Sequence, residues 1–188
     1  MSCACRGRRY LVGVRTVVSD PPPGDFEVLL ERRRRLGLDH HDEVWDGVLH
    51  VNPGPHGRHA RVQSQLIQLL GPFARDARLE PLGEANLGAA DDFRVPDAML
   101  LCPGPDRLFN PTAALVLEIV SPGDETWDKL GFYAAHGVDE LLIVDPQERA
   151  VHWLALEAGE YRPVARSGLV DLGPRELAER IVWPALED

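Results

Sequence analysis

The sequence predicts an α/β (α+β) domain in which short buried strands are flanked by helices. Three observations carry this. Apolar runs at 95–101, 115–120 and 141–144, bounded by Pro, Gly, Asn and Asp, have the length and composition of buried strands. Residues 60–70 place Val62, Leu66, Leu69 and Leu70 at a 3.6-residue period, with Phe73 continuing the stripe, as a helix with one apolar face does. Asp46-Gly47 separates two short apolar strands, a tight-hairpin signal because both central positions need positive φ.

Taken in order, residues 1–24 read as an irregular basic leader, with Arg6, Arg8 and Arg9 early and Pro21-Pro22-Pro23-Gly24 stopping any regular element. Residues 25–188 read as a single domain, since 188 residues at 44% hydrophobic suffice for one core. Asp25 is an N-cap candidate for a helix running through Arg32–Arg35 and ended by Gly37. That arginine run is either a solvated face or a grip for phosphates. The hairpin of 43–45 and 48–51 follows, then the helix of 60–70, which Gly71-Pro72 should end or kink. A strand at 82–87, the strand at 95–101, a proline-containing lid or edge loop at 102–112 and the strand at 115–120 come next. A helix over 126–136 ends at Gly137, so that Lys129 and Tyr133, four apart, share a face. Strands at 141–144, 150–156 and 161–164 and a short helix at 175–181 complete the chain.

No apolar run approaches the roughly 20 residues of a membrane span, and the first residues lack a secretory apolar stretch, so the expected location is cytoplasmic. Cys3, Cys5 and Cys102 make neither a disulfide framework nor a zinc motif. The net charge is −10, and residues 91–148 hold twelve acidic against three basic residues. A basic footprint is the usual sign of nucleic-acid binding, so this balance argues against tight electrostatic capture of DNA.

The chemistry concentrates at 94–133. Asp97 follows Pro96 at the head of one apolar run, and Glu118 sits inside the next. A buried ionised carboxylate is costly unless a cation or donors compensate it. Two on neighbouring strands point to a divalent-metal site, because Mg²⁺ takes oxygen ligands and keeps waters for substrate. Lys129 is the single lysine in a chain with 19 arginines. It is either a chance survivor on a solvated helix face or an ammonium kept for its compact, tunable charge, and its nearness to the two carboxylates favours the second. The sequence has no Gly-rich phosphate loop, Cys-x-x-Cys, His-Glu-x-x-His or Gly-x-Ser-x-Gly, and Ser121 reads as a loop former.

The order Pro96-Asp97, Leu117-Glu118-Ile119-Val120-Ser121-Pro122, Lys129-x-x-x-Tyr133, Gly137-Val138 and 141–146 (LLIVDP) resembles the Uma-type putative restriction endonuclease family of the PD-(D/E)XK nuclease superfamily. The likeness implies a restriction-endonuclease-like central mixed β-sheet flanked by helices. It implies a metal-dependent endonuclease acting on DNA, with Mg²⁺ or Mn²⁺ held by Asp97, Glu118 and the backbone carbonyl of Ile119. Catalytic residues would be Asp97, Glu118 and Lys129. The superfamily's lysine two residues after the glutamate is absent, Val120 standing there, and Lys129 from the following helix would inherit its role. The loop before Lys129 is short for the family, so Glu125 or Asp128 could fill part of the space.

The resemblance also matches Glu43 and His59 to family positions, each weighed against an ordinary surface role. Tyr133 joins them through the face it shares with Lys129. Arg58 and Arg61 on the same helix turns are candidates for phosphate binding. A nuclease that cuts both strands is often a homodimer by symmetry. The competing readings are a catalytically inactive nuclease-fold binding or assembly module, and a small-phosphoester hydrolase.

Overall fold

A computed structural model of the chain describes residues 16–18, 24–52, 54–121, 123 and 125–185. Strands β1 (Thr16–Val18), β2 (Glu43–Trp45), β3 (Val48–Val51), β5 (Asn86–Ala89), β6 (Asp92–Arg94) and β8 (Phe109–Asn110) form one mixed sheet in the order β1-β3-β2-β6-β5-β8. Strands β4 (Glu80–Leu82), β7 (Ala98–Leu101), β9 (Leu115–Ile119), β10 (Glu140–Asp145), β11 (Ala150–Glu157) and β12 (Glu160–Pro163) form the second, in the order β12-β11-β10-β9-β7-β4. Its β9 and β10 are parallel and its other pairs antiparallel. The helices are α1 (Asp25–Leu36), α2 (Gly57–Asp76), α3 (Leu130–Ala135) and α4 (Pro174–Arg180), with a 3₁₀ turn at Thr126–Lys129 leading into α3. No helix among the described residues is long and apolar enough to cross a membrane.

The second sheet is the core of the molecule, and strand alternation divides its side chains between two faces. Leu100, Leu117, Ile119, Leu142, Val144 and Trp153 pack against Val62, Leu66, Leu70 and Ala74 of α2 and Leu177 of α4. Met99, Val116, Leu141, Ile143 and Leu154 pack against Phe132 and Tyr133 of α3 and Leu87 of the first sheet. All five residues of β9 are buried, which is why it reads as an unbroken apolar run. The exception is Glu118, whose place beside Leu117 turns it to the face that α3 covers.

Several expectations are corrected. Thr16–Val18 of the supposed irregular leader pairs antiparallel with β3, Val17 opposite His50; Cys3 and Cys5 lie outside the described residues. Gly24, not Asp25, caps α1. The strand expected at 82–87 is two strands in different sheets, β4 ending at Leu82 and β5 starting at Asn86. The loop at 102–112, by contrast, does lie at an edge as one of its two readings had it, contributing β8 to the first sheet. Helix α2 runs through Gly71-Pro72 to Asp76. Pro72 is exposed, so water can serve the carbonyl left without its partner, while Phe73 and Ala74 keep the far half on the core.

A second buried carboxylate fastens the C-terminal segment. Glu140 Oε2 accepts from Trp153 Nε1 at 2.7 Å and Ser167 Oγ at 2.5 Å, and Oε1 accepts the Gly168 N–H at 2.7 Å. Removing the acceptor strands two buried donors, Trp153 Nε1 and Ser167 Oγ, each costing about 1–3 kcal/mol when unpaired, while the exposed Gly168 N–H can turn to water. Glu140→Ala is therefore expected to destabilise the fold by at least about 2 kcal/mol in urea unfolding, with Glu140→Gln intermediate.

Candidate active site

Asp97 lies one residue ahead of β7. The register that sets Ala98 opposite Leu117 places Asp97 opposite Glu118 when carried back one step. Pro96 has no N–H and holds Val95 extended, which ends the ladder and frees the Val95 N–H. That N–H donates to Glu43 Oε1 at 2.9 Å. Asp97 is held on every side. Its Oδ2 accepts the Ile119 N–H at 2.7 Å, its Oδ1 lies 2.7 Å from His59 Nε2, and its carbonyl accepts from Gln63 Nε2 at 2.8 Å. His59 Nδ1 in turn lies 3.1 Å from Ser121 Oγ.

Glu118 Oε1 accepts from the Tyr133 hydroxyl and from Lys129 Nζ, the latter at 3.2 Å. The same ammonium donates to Glu43 Oε1 at 2.9 Å, and Glu43 Oε2 accepts from Trp45 Nε1 at 2.8 Å. Glu118 Oε2 has no hydrogen-bond partner among the described residues, so it is the carboxylate oxygen left for a ligand. Lys129 is 12% exposed and Glu43 2%, so this ion pair is nearly out of water. Behind it the Arg94 guanidinium lies 4.4 Å from the Trp45 ring and 4.0 Å from the Phe132 ring, tying the hairpin to α3.

The structure thus brings Asp97, Glu118, Lys129, Glu43, His59 and Tyr133 into one network. Glu43, weighed as a further metal-site carboxylate against an exposed strand-end charge, is buried. Arg61 is exposed on the first turns of α2, and the N–H of Arg58 donates to His56, the cap of that helix. Of the two residues expected to fill part of the short loop's space, Glu125 Oε2 lies 3.5 Å from His50 Nδ1 and Asp128 is exposed. Ser121 and Gln63 also join the site. The only available signal was Ser121's place just after the glutamate strand.

Residues 26–181 match the Uma2 family, described as "Putative restriction endonuclease". The chain belongs to this family. Membership supports a nuclease of restriction-endonuclease type, a class that generally uses divalent metals. Among solved structures it is similar to a "putative nuclease belonging to DUF820 from Anabaena variabilis ATCC 29413", at 18% identity and TM-score 0.62, over 74% of this chain and 90% of that one. This likeness shows the shared fold. The structure of a DrdV–DNA complex matches at 20% identity and TM-score 0.36, over 53% of this chain and 9% of that one, too slight to bear on the argument. No curated protein matches.

In this Uma2 chain the electrostatics follow from burial around a surplus of carboxylates. Burial raises Glu118 to about 7; Asp97 and Glu43 add to the rise, and Lys129 and the Tyr133 hydroxyl oppose it. Burial alone would lower Lys129, but Glu118 and Glu43 outweigh it and hold the ammonium firmly protonated. Burial and Glu118 raise Tyr133 well above its ordinary value, so it remains a donor. Burial lowers His59, while its hydrogen bond to Asp97 and that carboxylate's charge raise it to a net increase.

The donor set fits a hard divalent cation. Glu43 and Glu118 share one ammonium, Asp97 stands opposite Glu118, and Glu118 Oε2 is left for a ligand. Among the described residues no group of three or more His, Cys, Asp or Glu side chains forms a ligand cluster. An ion here would complete its shell with backbone oxygen and water, as Mg²⁺ commonly does.

Proposed function

We propose that this protein is a Mg²⁺- or Mn²⁺-dependent endonuclease that hydrolyses phosphodiester bonds of DNA. The observation that carries the reading is the convergence of Asp97 and Glu118, opposite one another on neighbouring strands, with Lys129 reaching Glu118 from the next helix. Asp97, Glu118 and the Ile119 carbonyl would hold the ion, which when bound acidifies water and offsets phosphate charge.

The protein's own groups have separable tasks. Lys129 is held too strongly protonated to act as a base, so it offers charge and a hydrogen bond to the reacting phosphate. Glu43 and Glu118 fix the ammonium in place, taking two of its three protons and leaving one to donate to a phosphate. Tyr133 orients Glu118 from its buried side. His59, between Asp97 and Ser121, holds the aspartate and can carry a proton near the site.

The test is cleavage of plasmid and oligonucleotide DNA with Mg²⁺ or Mn²⁺ by the wild type and by Asp97→Ala, Glu118→Ala and Lys129→Ala. Metal-dependent cleavage by all three purified variants would sink the assignment.

A second reading, an inactive module held by a buried ion-paired network, is favoured by one observation. Both oxygens of Asp97 and one of Glu118 already have protein partners. Thermal unfolding with and without Mn²⁺ separates the two, because only a protein that binds the ion in its folded state is stabilised by it. A rise in midpoint is expected for the wild type. Because the ion needs ionised Glu118, affinity should climb as pH rises toward about 7 and level off above it, with protons released on binding. A midpoint indifferent to Mn²⁺ across that range would favour the inert network.

A further inference from the structure

Trp127 is 47% exposed on the 3₁₀ turn that carries Lys129, two residues further along. It belongs to neither apolar cluster; Phe132 and Tyr133 do the packing of this segment. Its ring is nonetheless held in place, meeting the exposed His152 of β11 at a centroid distance of 5.3 Å with the planes at 76°.

Sheet register fixes where this pair lies. Glu118 is opposite Ile143, and Ile143 is opposite His152, so the three share a face. His152 is then two strand spacings, roughly 10 Å, from Glu118. A nucleotide next to one whose phosphate sits at Glu118 and Lys129 can reach that far.

We propose that Trp127, braced by His152, is a stacking platform for an unpaired base beside the scissile phosphate, so that the substrate is single-stranded DNA or a locally unpaired strand. The proposal rests on the nuclease reading above. Bases inside a duplex have both faces covered by their neighbours, so a surface indole can take only a base that has left the stack. The charge balance points the same way. With a net charge of −10, and twelve acidic against three basic residues over 91–148, attraction of phosphates is a weak source of affinity. Stacking supplies affinity that needs no positive field.

The experiment is fluorescence anisotropy of labelled oligothymidylate and of a hairpin duplex, with the full chain in EDTA to prevent cleavage. Trp127→Ala should weaken single-strand binding about ten- to hundredfold and leave duplex binding nearly unchanged, while Trp127→Phe keeps most of the affinity. An oligonucleotide with abasic sugars and intact phosphates should lose a similar factor with the wild type and nothing further with Trp127→Ala. This comparison on the wild type holds even if the alanine variant folds poorly. Equal losses on single strand and duplex, or no abasic effect, would overturn the platform and leave the nuclease reading standing. No binding of either DNA by the wild type would overturn the platform, and the metal-dependent cleavage assay decides the nuclease reading separately.

Discussion

Replacing Lys129 with methionine is expected to abolish DNA cleavage and to destabilise the fold by about 3–5 kcal/mol, the usual cost of stripping one partner from a buried ion pair. Glu43 and Glu118 meet at the ammonium, and both are nearly withdrawn from water. Without it, two carboxylates face each other with only the Tyr133 hydroxyl, the Trp45 indole N–H and the Val95 N–H as neutral donors. Adding Glu43→Gln to Lys129→Met removes one of the stranded charges and should recover a large part of the stability but none of the cleavage. Urea unfolding and a DNA cleavage assay on the two variants separate the roles. Recovery of both together would mean that Lys129 acts only by holding the fold.

How much of this was legible beforehand differs from residue to residue. Asp97 and Glu118 stood out because β7 and β9 are buried on both faces, so a charge inside an otherwise apolar run has no bland explanation. Lys129 stood out by composition. Glu43 stood out only through the family resemblance, because a two-residue turn between short strands looks like a solvent hairpin and the pairing of β2 with β6 joins segments distant in the chain. The division of 80–89 between two sheets was hidden for a related reason. Strands of three or four residues carry too little alternation to announce which sheet they join. The run of α2 past Pro72 depended on Phe73 and Ala74 reaching the core, a tertiary gain that local propensity does not contain. Trp127 and His152, 25 positions apart, are neighbours only through the registers of β9, β10 and β11.

Glu118→Gln should lower cleavage by at least about a thousandfold, the scale seen when a preorganised charge at a reacting centre is lost. Yet it should not weaken the fold near neutral pH. The sign follows from the raised Glu118, about 7 in the folded state against 4.5 for the ordinary group. A carboxyl that holds its proton more tightly when folded contributes stability below the unfolded value, and loses it as pH rises through the folded one. Wild-type stability should therefore decline between about pH 4.5 and 7 relative to Glu118→Gln, by up to about 3 kcal/mol. Glutamine keeps the shape and can still accept from Tyr133, while Lys129 retains Glu43. Chemical denaturation of both proteins across that range, with and without Mn²⁺, measures the difference directly. A flat difference would show that Glu118 is ionised throughout and that the network's own donors compensate its charge. A difference that grows with pH and shrinks when Mn²⁺ is added would mark Glu118 as a carboxylate kept strained in the absence of the ion.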